Sequence, residues 1–196
     1  DQPRSRGLGD VYKRQASVDL LINFDEEKYD EIFHREKIIN YLNKAISAFI
    51  IDSISLSMDE ETASNFIAYL RISRNLERVG DHSKNIADVA KLKAEGSLDF
   101  TSDAYEELKT IDTSIEDMLL AISKDMPKDE RIKLTSTLYE KVQKFVPTFR
   151  ANHMLRMRER TCDPESGLLY EKTITAMERI SSVSYTHLRA HETEAD

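Results

Sequence analysis

Glu77 and Asp81 are the residues of this chain whose types and spacing most readily do chemistry. They fall inside a long helical pattern, so this i,i+4 pair of carboxylates shares one helix face, with Cβ atoms about 6 Å apart. Two acids that close repel each other, at a cost of about a few tenths of a kcal/mol on an exposed helix. A bound cation or a facing Arg or Lys removes that cost. Asn85 and Asp88 continue the face one and two turns on and add oxygen atoms. Hard oxygen ligands suit Mg2+, Mn2+ or iron. Two side chains cannot close a coordination shell, so water or another helix has to supply the rest. Gly80 lies between the acids, where Gly costs roughly 1 kcal/mol relative to Ala; a close helix crossing or a bound cluster explains such a residue. The competing reading is a solvated acidic face with Arg78 and Lys84 as counter-charges, and spacing alone leaves both open.

Other residues carry weaker signals. His82 could ligate a metal, but pairing with Asp81 on the helix surface is the simpler reading. Arg150, His153, Arg156, Arg158 and Arg160 form a basic run facing the start of the helix at Pro164. Helix N-termini bind anions, yet cations complementing a helix C-terminal dipole account for the run with less. Arg35-Glu36-Lys37 and Tyr139-Glu140-Lys141 are candidate counter-charges for the acidic face. The chain shows no nucleophile–base arrangement, Gly-rich phosphate loop, H-E-x-x-H or Cys-pair metal site. Nothing in it asks for catalysis, so it is not read as an enzyme.

Helices must position these groups. Residues 16–24 form a short apolar piece. Asp25 caps a helix to about Leu56, with Ile32, Ile39 and Ile46 in one apolar row and Leu42, Phe49 and Leu56 in the next. Ser57-Met58-Asp59-Glu60 reads as a capping box. The next helix runs to about Leu92 with Ala63, Phe66, Ile67 and Leu70 inward, and Glu95-Gly96-Ser97 ends it. Thr101 and Ser102 open a helix to about Lys124, whose stripe is Leu108, Ile111, Ile115, Met118, Leu119 and Ile122. Pro127 suits the first turn of a helix to about Arg160 that uses Leu134, Leu138, Val142, Phe145, Phe149 and Met154, and that Pro147 should kink or split. Asp163-Pro164-Glu165 opens the last helix as N-cap, N1 proline and acidic first turn. No stretch reads as a strand; the fold class is an all-α antiparallel bundle.

The ends read differently. Residues 5–15 and 183–193 back-translate to reverse complements of one DNA, which resembles a transposon-based sequencing-library adapter. Residues 1–15 and 183–196 are therefore read as adapter-derived, outside fold reasoning, and as making few buried contacts. Residues 16–182 are read as one incomplete helical domain, with apolar stripes on its first long helix and its last left partly exposed. The formal net charge of −8 argues against nucleic-acid partners. Cys162 is the only cysteine, which excludes an intramolecular disulfide and suits a reducing compartment. Ala45 to Ile51 is far too short to span a membrane, so the piece is expected to be soluble.

Leu76-Glu77-Arg78-Val79-Gly80-Asp81-His82 followed by Asn85-Ile86-Ala87 resembles the signature of PhoU domains. That resemblance implies two three-helix repeats, each with an E/D-x-x-x-D motif able to bind metal. An internal repeat agrees with it: residues 38–56 plus the signature helix correspond roughly to residues 142–160 plus the last helix. Glu77-Arg78-Val79 then matches Glu178-Arg179-Ile180, which adds Glu178 to the ligand candidates, while Ser182 stands where a second acid is expected. The stretch from Arg158 to Leu169 and the G-D-H-x-x-N-I-A form look closest to the cytoplasmic PhoU-like tail of bacterial Na+/phosphate cotransporter-family proteins. The function implied is regulation of phosphate uptake at the cytoplasmic side of the inner membrane. The implied partners are the parent's transmembrane domain or a phosphate-transport and sensor complex, with a homodimer as a further expectation. The alternatives are a stand-alone PhoU regulator of an ATP-driven phosphate transporter and a structural coiled-coil interaction protein.

Overall fold

The computed structural model describes residues 17–54, 59–123 and 126–192, the side chains of 123 and 187–192 aside. A short helix, α1 (residues 17–22), precedes α2 (Glu26–Ile54), α3 (Glu60–Glu95), α4 (Ser102–Ser123), α5 (Lys128–Arg158) and α6 (Pro164–Glu192). No strand occurs among the described residues, so the predicted all-α class holds. α4, α5 and α6 pack on one another, α3 lies along α6, and α2 packs on α3 alone among the other long helices. The core runs through the middle of this arrangement. It joins Leu20 and Leu21 of α1, Ile86 and Ala90 of α3, Ile111 and Ile115 of α4, Val142 and Val146 of α5, and Ile174, Met177 and Ile180 of α6. Tyr105 fastens α1 to α4, its hydroxyl lying 3.1 Å from the Leu21 carbonyl and 2.6 Å from the Asp99 carboxylate.

Helix starts follow the local sequence with small shifts. Asp25 accepts from the Lys28 N–H at 3.1 Å, Thr101 from Ala104 at 3.2 Å and Asp163 from Ser166 at 2.9 Å. The expected box at residues 57–60 is replaced: Asp59 is the N-cap of α3 and accepts from the backbone and hydroxyl of Thr62. A carboxylate makes both bonds, so Glu60 is not needed to close the turn; Ser57, Met58 and Leu56 lie outside the described residues. Pro127 is the N-cap of α5 rather than its first helical residue. Both α3 and α5 end in a Schellman-type turn, with Leu98 N–H to Lys93 O at 2.9 Å and Thr161 N–H to Arg156 O at 3.0 Å. The left-handed residue in each is not glycine. Ser97 (φ 50) and Arg160 (φ 57) take it, and Gly96 sits one position early with a right-handed φ of −80.

The partial exposure expected of the α2 stripe is found, and three other expectations about packing change. The two apolar rows of α2 are mostly exposed, because α2 has one neighbour: Ile32 is buried, Ile39 is partly covered, and Leu42, Ile46 and Phe49 face solvent. The N-terminal half of α3 behaves alike, with Ile67 exposed and its buried residues limited to Ser73 and positions 79–90. α6 is the opposite case, its core face being covered as far as Val183. In α5, Leu134 and Met154 are exposed, and Val146 and His153 are buried in their place. Pro147 does not split α5; it is exposed, as is Gln143, whose carbonyl loses its helical partner.

The expectation that residues from 183 onward make few buried contacts fails at its start. Val183 joins the core, Ser184 is buried, and Tyr185 stacks on Tyr139 with ring centroids 4.4 Å apart. The cause is helix periodicity: positions 183 and 184 follow Ile180 at i+3 and i+4, so continuing α6 places them on its buried face whatever their origin. Val11 and Tyr12, and the Leu188 side chain, lie outside the described residues.

Candidate functional site

α3 sets out the carboxylates on the border between its buried and open faces. Val79, Gly80, Ser83, Ile86 and Ala87 are buried on the inner side. Glu77, Asp81 and Asp88 are half-buried at the edge, and Asn85 is exposed. Glu77 and Asp81 make no hydrogen bond or ion pair among the described residues, so this i,i+4 pair stays unneutralised by protein cations. Arg78 is exposed beside it, and Lys84 lies over the Phe33 ring at 4.7 Å instead. Asp88 is committed elsewhere: it accepts from the Tyr29 hydroxyl at 3.0 Å. Burial first, and then that carboxylate, push the Tyr29 hydroxyl up to about 12.

The second motif is arranged differently. Glu178 accepts from Arg150 Nη1 at 3.1 Å, and Arg150 also donates to Glu171 at 2.8 Å and to Thr175 at 3.1 Å. One guanidinium thus clamps two carboxylates of α6 from α5. Ser182 offers no acid, and its carbonyl accepts from Thr186 at 3.0 Å. Among the described residues no three His, Cys, Asp or Glu side chains come together to hold a metal ion. Glu178, held by Arg150, is not part of such a cluster.

The basic run reads as structure once its partners are seen. Arg150 is spent on Glu171 and Glu178. Arg156 pairs with Glu107 through both terminal nitrogens, at 3.1 and 2.7 Å. His153 is buried against the Tyr170 ring, and burial followed by the Arg156 charge holds its imidazole below the ordinary range. Arg158 and Arg160 are exposed. The run is thus no anion site at the start of α6. Nor do the proposed counter-charges reach the acidic face: Arg35 pairs with Glu31 on its own helix, Glu36 accepts from Asn40, and Tyr139 stacks on Tyr185.

Sequence reasoning missed two arrangements. The first is the Glu107 cluster, in which Asn152, Arg156 and the Tyr170 hydroxyl all donate to one buried carboxylate and so join α4, α5 and α6. Its signal was an acid at a position on the apolar stripe of α4, one turn before Ile111. The second is a cleft of ≈ 380 Å³ between α3 and α6, lined by His82, Asn85 and Asp88 on one side and by Lys172, Thr175 and Arg179 on the other. His82 faces it half-buried, with Nδ1 buried and unpartnered; burial, and then the charge of Arg179, lower its proton affinity. The i,i+7 cations of α6 were the available signal.

Residues 14–90 match the family model described as the PhoU domain. The fold as a whole is similar to a crystal structure of PhoU from Pseudomonas aeruginosa, with a TM-score of 0.86 at 16% identity over 96% of this chain and 91% of that one. It is similar also to the phosphate transport system regulatory protein PhoU from Streptococcus pneumoniae, with a TM-score of 0.79 at 17% identity over 96% of this chain and 89% of that one. No curated protein sequence matches the chain.

Proposed function

We propose that this chain, which carries a PhoU domain over residues 14–90 on a PhoU-type fold, regulates phosphate transport by contact with a partner protein. The observation that carries the reading is the uncovered apolar face of α2, where Tyr41, Leu42 and Phe49 are 71%, 49% and 65% exposed. Exposed apolar surface of this extent marks contacts, and here it lies on the helix with fewest neighbours inside the chain. No described helix is long and apolar enough to cross a membrane. The form that fits best is a regulator that is a protein of its own, since the Streptococcus pneumoniae protein of the same fold is described as a phosphate transport system regulatory protein. The test is expression of the full chain in a bacterium lacking its own regulator of this kind. Restored repression of a phosphate-starvation reporter supports the reading; a reporter that stays constitutive at matched expression rejects it.

A second reading keeps the cytoplasmic tail of a Na+/phosphate cotransporter-family protein, which the Gly80-Asp81-His82-x-x-Asn85-Ile86-Ala87 form favours. Coding DNA upstream of position 16 separates the two, because that reading requires membrane-spanning helices there. Metal binding belongs to either form. Glu77 and Asp81 would hold Mg2+, Mn2+ or iron weakly, with water completing the shell, and the ion would neutralise the carboxylate pair. Metal content after purification tests this: the wild type should exceed Glu77→Ala with Asp81→Ala, and equal content would return the pair to an ordinary acidic face.

A further inference from the structure

We propose that the cleft between α3 and α6 binds a small tetrahedral oxyanion of the phosphate class, held by Lys172 and Arg179 and met across the cleft by His82 and Asn85. The argument is one of uncommitted charge. The acids in its walls are occupied: Asp88 accepts from Tyr29 at 3.0 Å, and Glu171 accepts from Arg150 at 2.8 Å. The cations are not. Lys172 and Arg179 stand two turns apart on the same face of α6, line the cleft, and make no ion pair or hydrogen bond among the described residues.

The opposite wall adds two polar side chains. His82 lines the cleft with a buried, unpartnered ring nitrogen, and the exposed Asn85 amide carries two N–H groups. A volume of ≈ 380 Å³ accommodates an inorganic oxyanion with water, or a small phosphate monoester. Arg presents a planar fork of donors and Lys a compact point charge, a pairing suited to phosphate oxygens. The site supplies a ligand for the regulatory reading, and its biological meaning rests on that reading; the binding itself does not.

The experiment is titration calorimetry on the full chain in a chloride buffer, with inorganic phosphate in one arm and glycerol 3-phosphate in the other. Saturable binding in either arm is expected, and the arm that binds more tightly identifies a free or an esterified anion. Lys172→Ala with Arg179→Ala should weaken binding at least about ten-fold, since both charge-assisted contacts are removed. Lys133→Ala with Lys144→Ala, two exposed lysines of α5, should leave binding unchanged. Thermal melts confirm that all variants are folded, and Asn85→Ala gives an independent, smaller loss from the other wall. No saturable binding in either arm, or equal loss in both double variants, overturns the proposal. A chain that binds phosphate yet fails to repress the reporter loses only the regulatory reading.

Discussion

Replacing Glu107 by Ala should cost this fold about 3–5 kcal/mol, the range for removing one partner of a buried ion pair. The Glu107 and Arg156 side chains are 8% and 11% exposed, so neither charge has water to fall back on. Glu107 receives both terminal nitrogens of Arg156, the Asn152 amide at 2.9 Å and the Tyr170 hydroxyl. Its loss strands a guanidinium and a phenol between three helices. For a domain of this size each kcal/mol corresponds to roughly 2–4 °C in Tm, so a fall on the order of 10 °C is expected. Glu107→Gln keeps the shape and one acceptor but not the charge, and should cost about half as much. Burial alone would raise the Glu107 carboxyl, but the bonds from Arg156, Tyr170 and Asn152 outweigh it and hold it below the usual range. Its contribution is therefore complete above the unfolded carboxyl value of about 4.3 and is lost as pH falls through the lower folded value. The assay is urea unfolding of wild type, Glu107→Ala, Arg156→Ala and the double variant. The double variant should cost far less than the sum of the singles. A cost under about 1 kcal/mol for Glu107→Ala, or simple additivity, would refute the claim that this cluster fastens α4 to α5 and α6.

Three smaller predictions follow from local geometry. Arg160→Gly should raise Tm by about 2 °C, because Arg160 holds a left-handed φ of 57 that costs a side chain roughly 1 kcal/mol; an unchanged or lower Tm argues against strain there. Gly167→Ala should cost about 1–3 kcal/mol by overpacking, since its Cβ would lie 2.7 Å from Met157 Sδ and 3.0 Å from His153 Cε1; a neutral result in chemical denaturation would mean that both side chains move freely. Burial, and then Arg156, lower the His153 proton affinity in the fold. The unfolded chain thus takes up protons first, and stability should decline as pH falls below about 6.5. His153→Gln should flatten part of that decline, and a pH profile identical to wild type would remove His153 as its source.

Much of the architecture was legible because the helices announce themselves. Asp25, Thr101 and Asp163 cap where sequence placed them, and the stripe of α4 from Leu108 to Met118 is buried as its period requires. Partial exposure of α2 was expected, but not its extent. Periodicity finds a helix's apolar face but cannot say whether a neighbour covers it, and α2 has only α3. The same limit governs the candidate site. The shared helix placed Glu77, Asp81, Asn85 and Asp88 in order along α3, yet the partners that decide their roles come from elsewhere in the chain. Tyr29 claims Asp88 from 59 positions away, and Arg150 claims Glu178 from 28. The basic run was read mainly as complementing a helix dipole, and the acids that absorb Arg150 and Arg156 were not visible because they sit on other helices.

The central claim is that the open face of α2 is the contact through which a phosphate-transport partner is regulated, and direct binding measures it. The full chain should be titrated onto a purified phosphate transporter in lipid nanodiscs, alongside Tyr41→Asp with Leu42→Asp, which changes two side chains exposed to solvent. The account predicts saturable binding by the wild type, and at least a ten-fold loss in the variant at an unchanged melting temperature. Equal affinity for both proteins would contradict it.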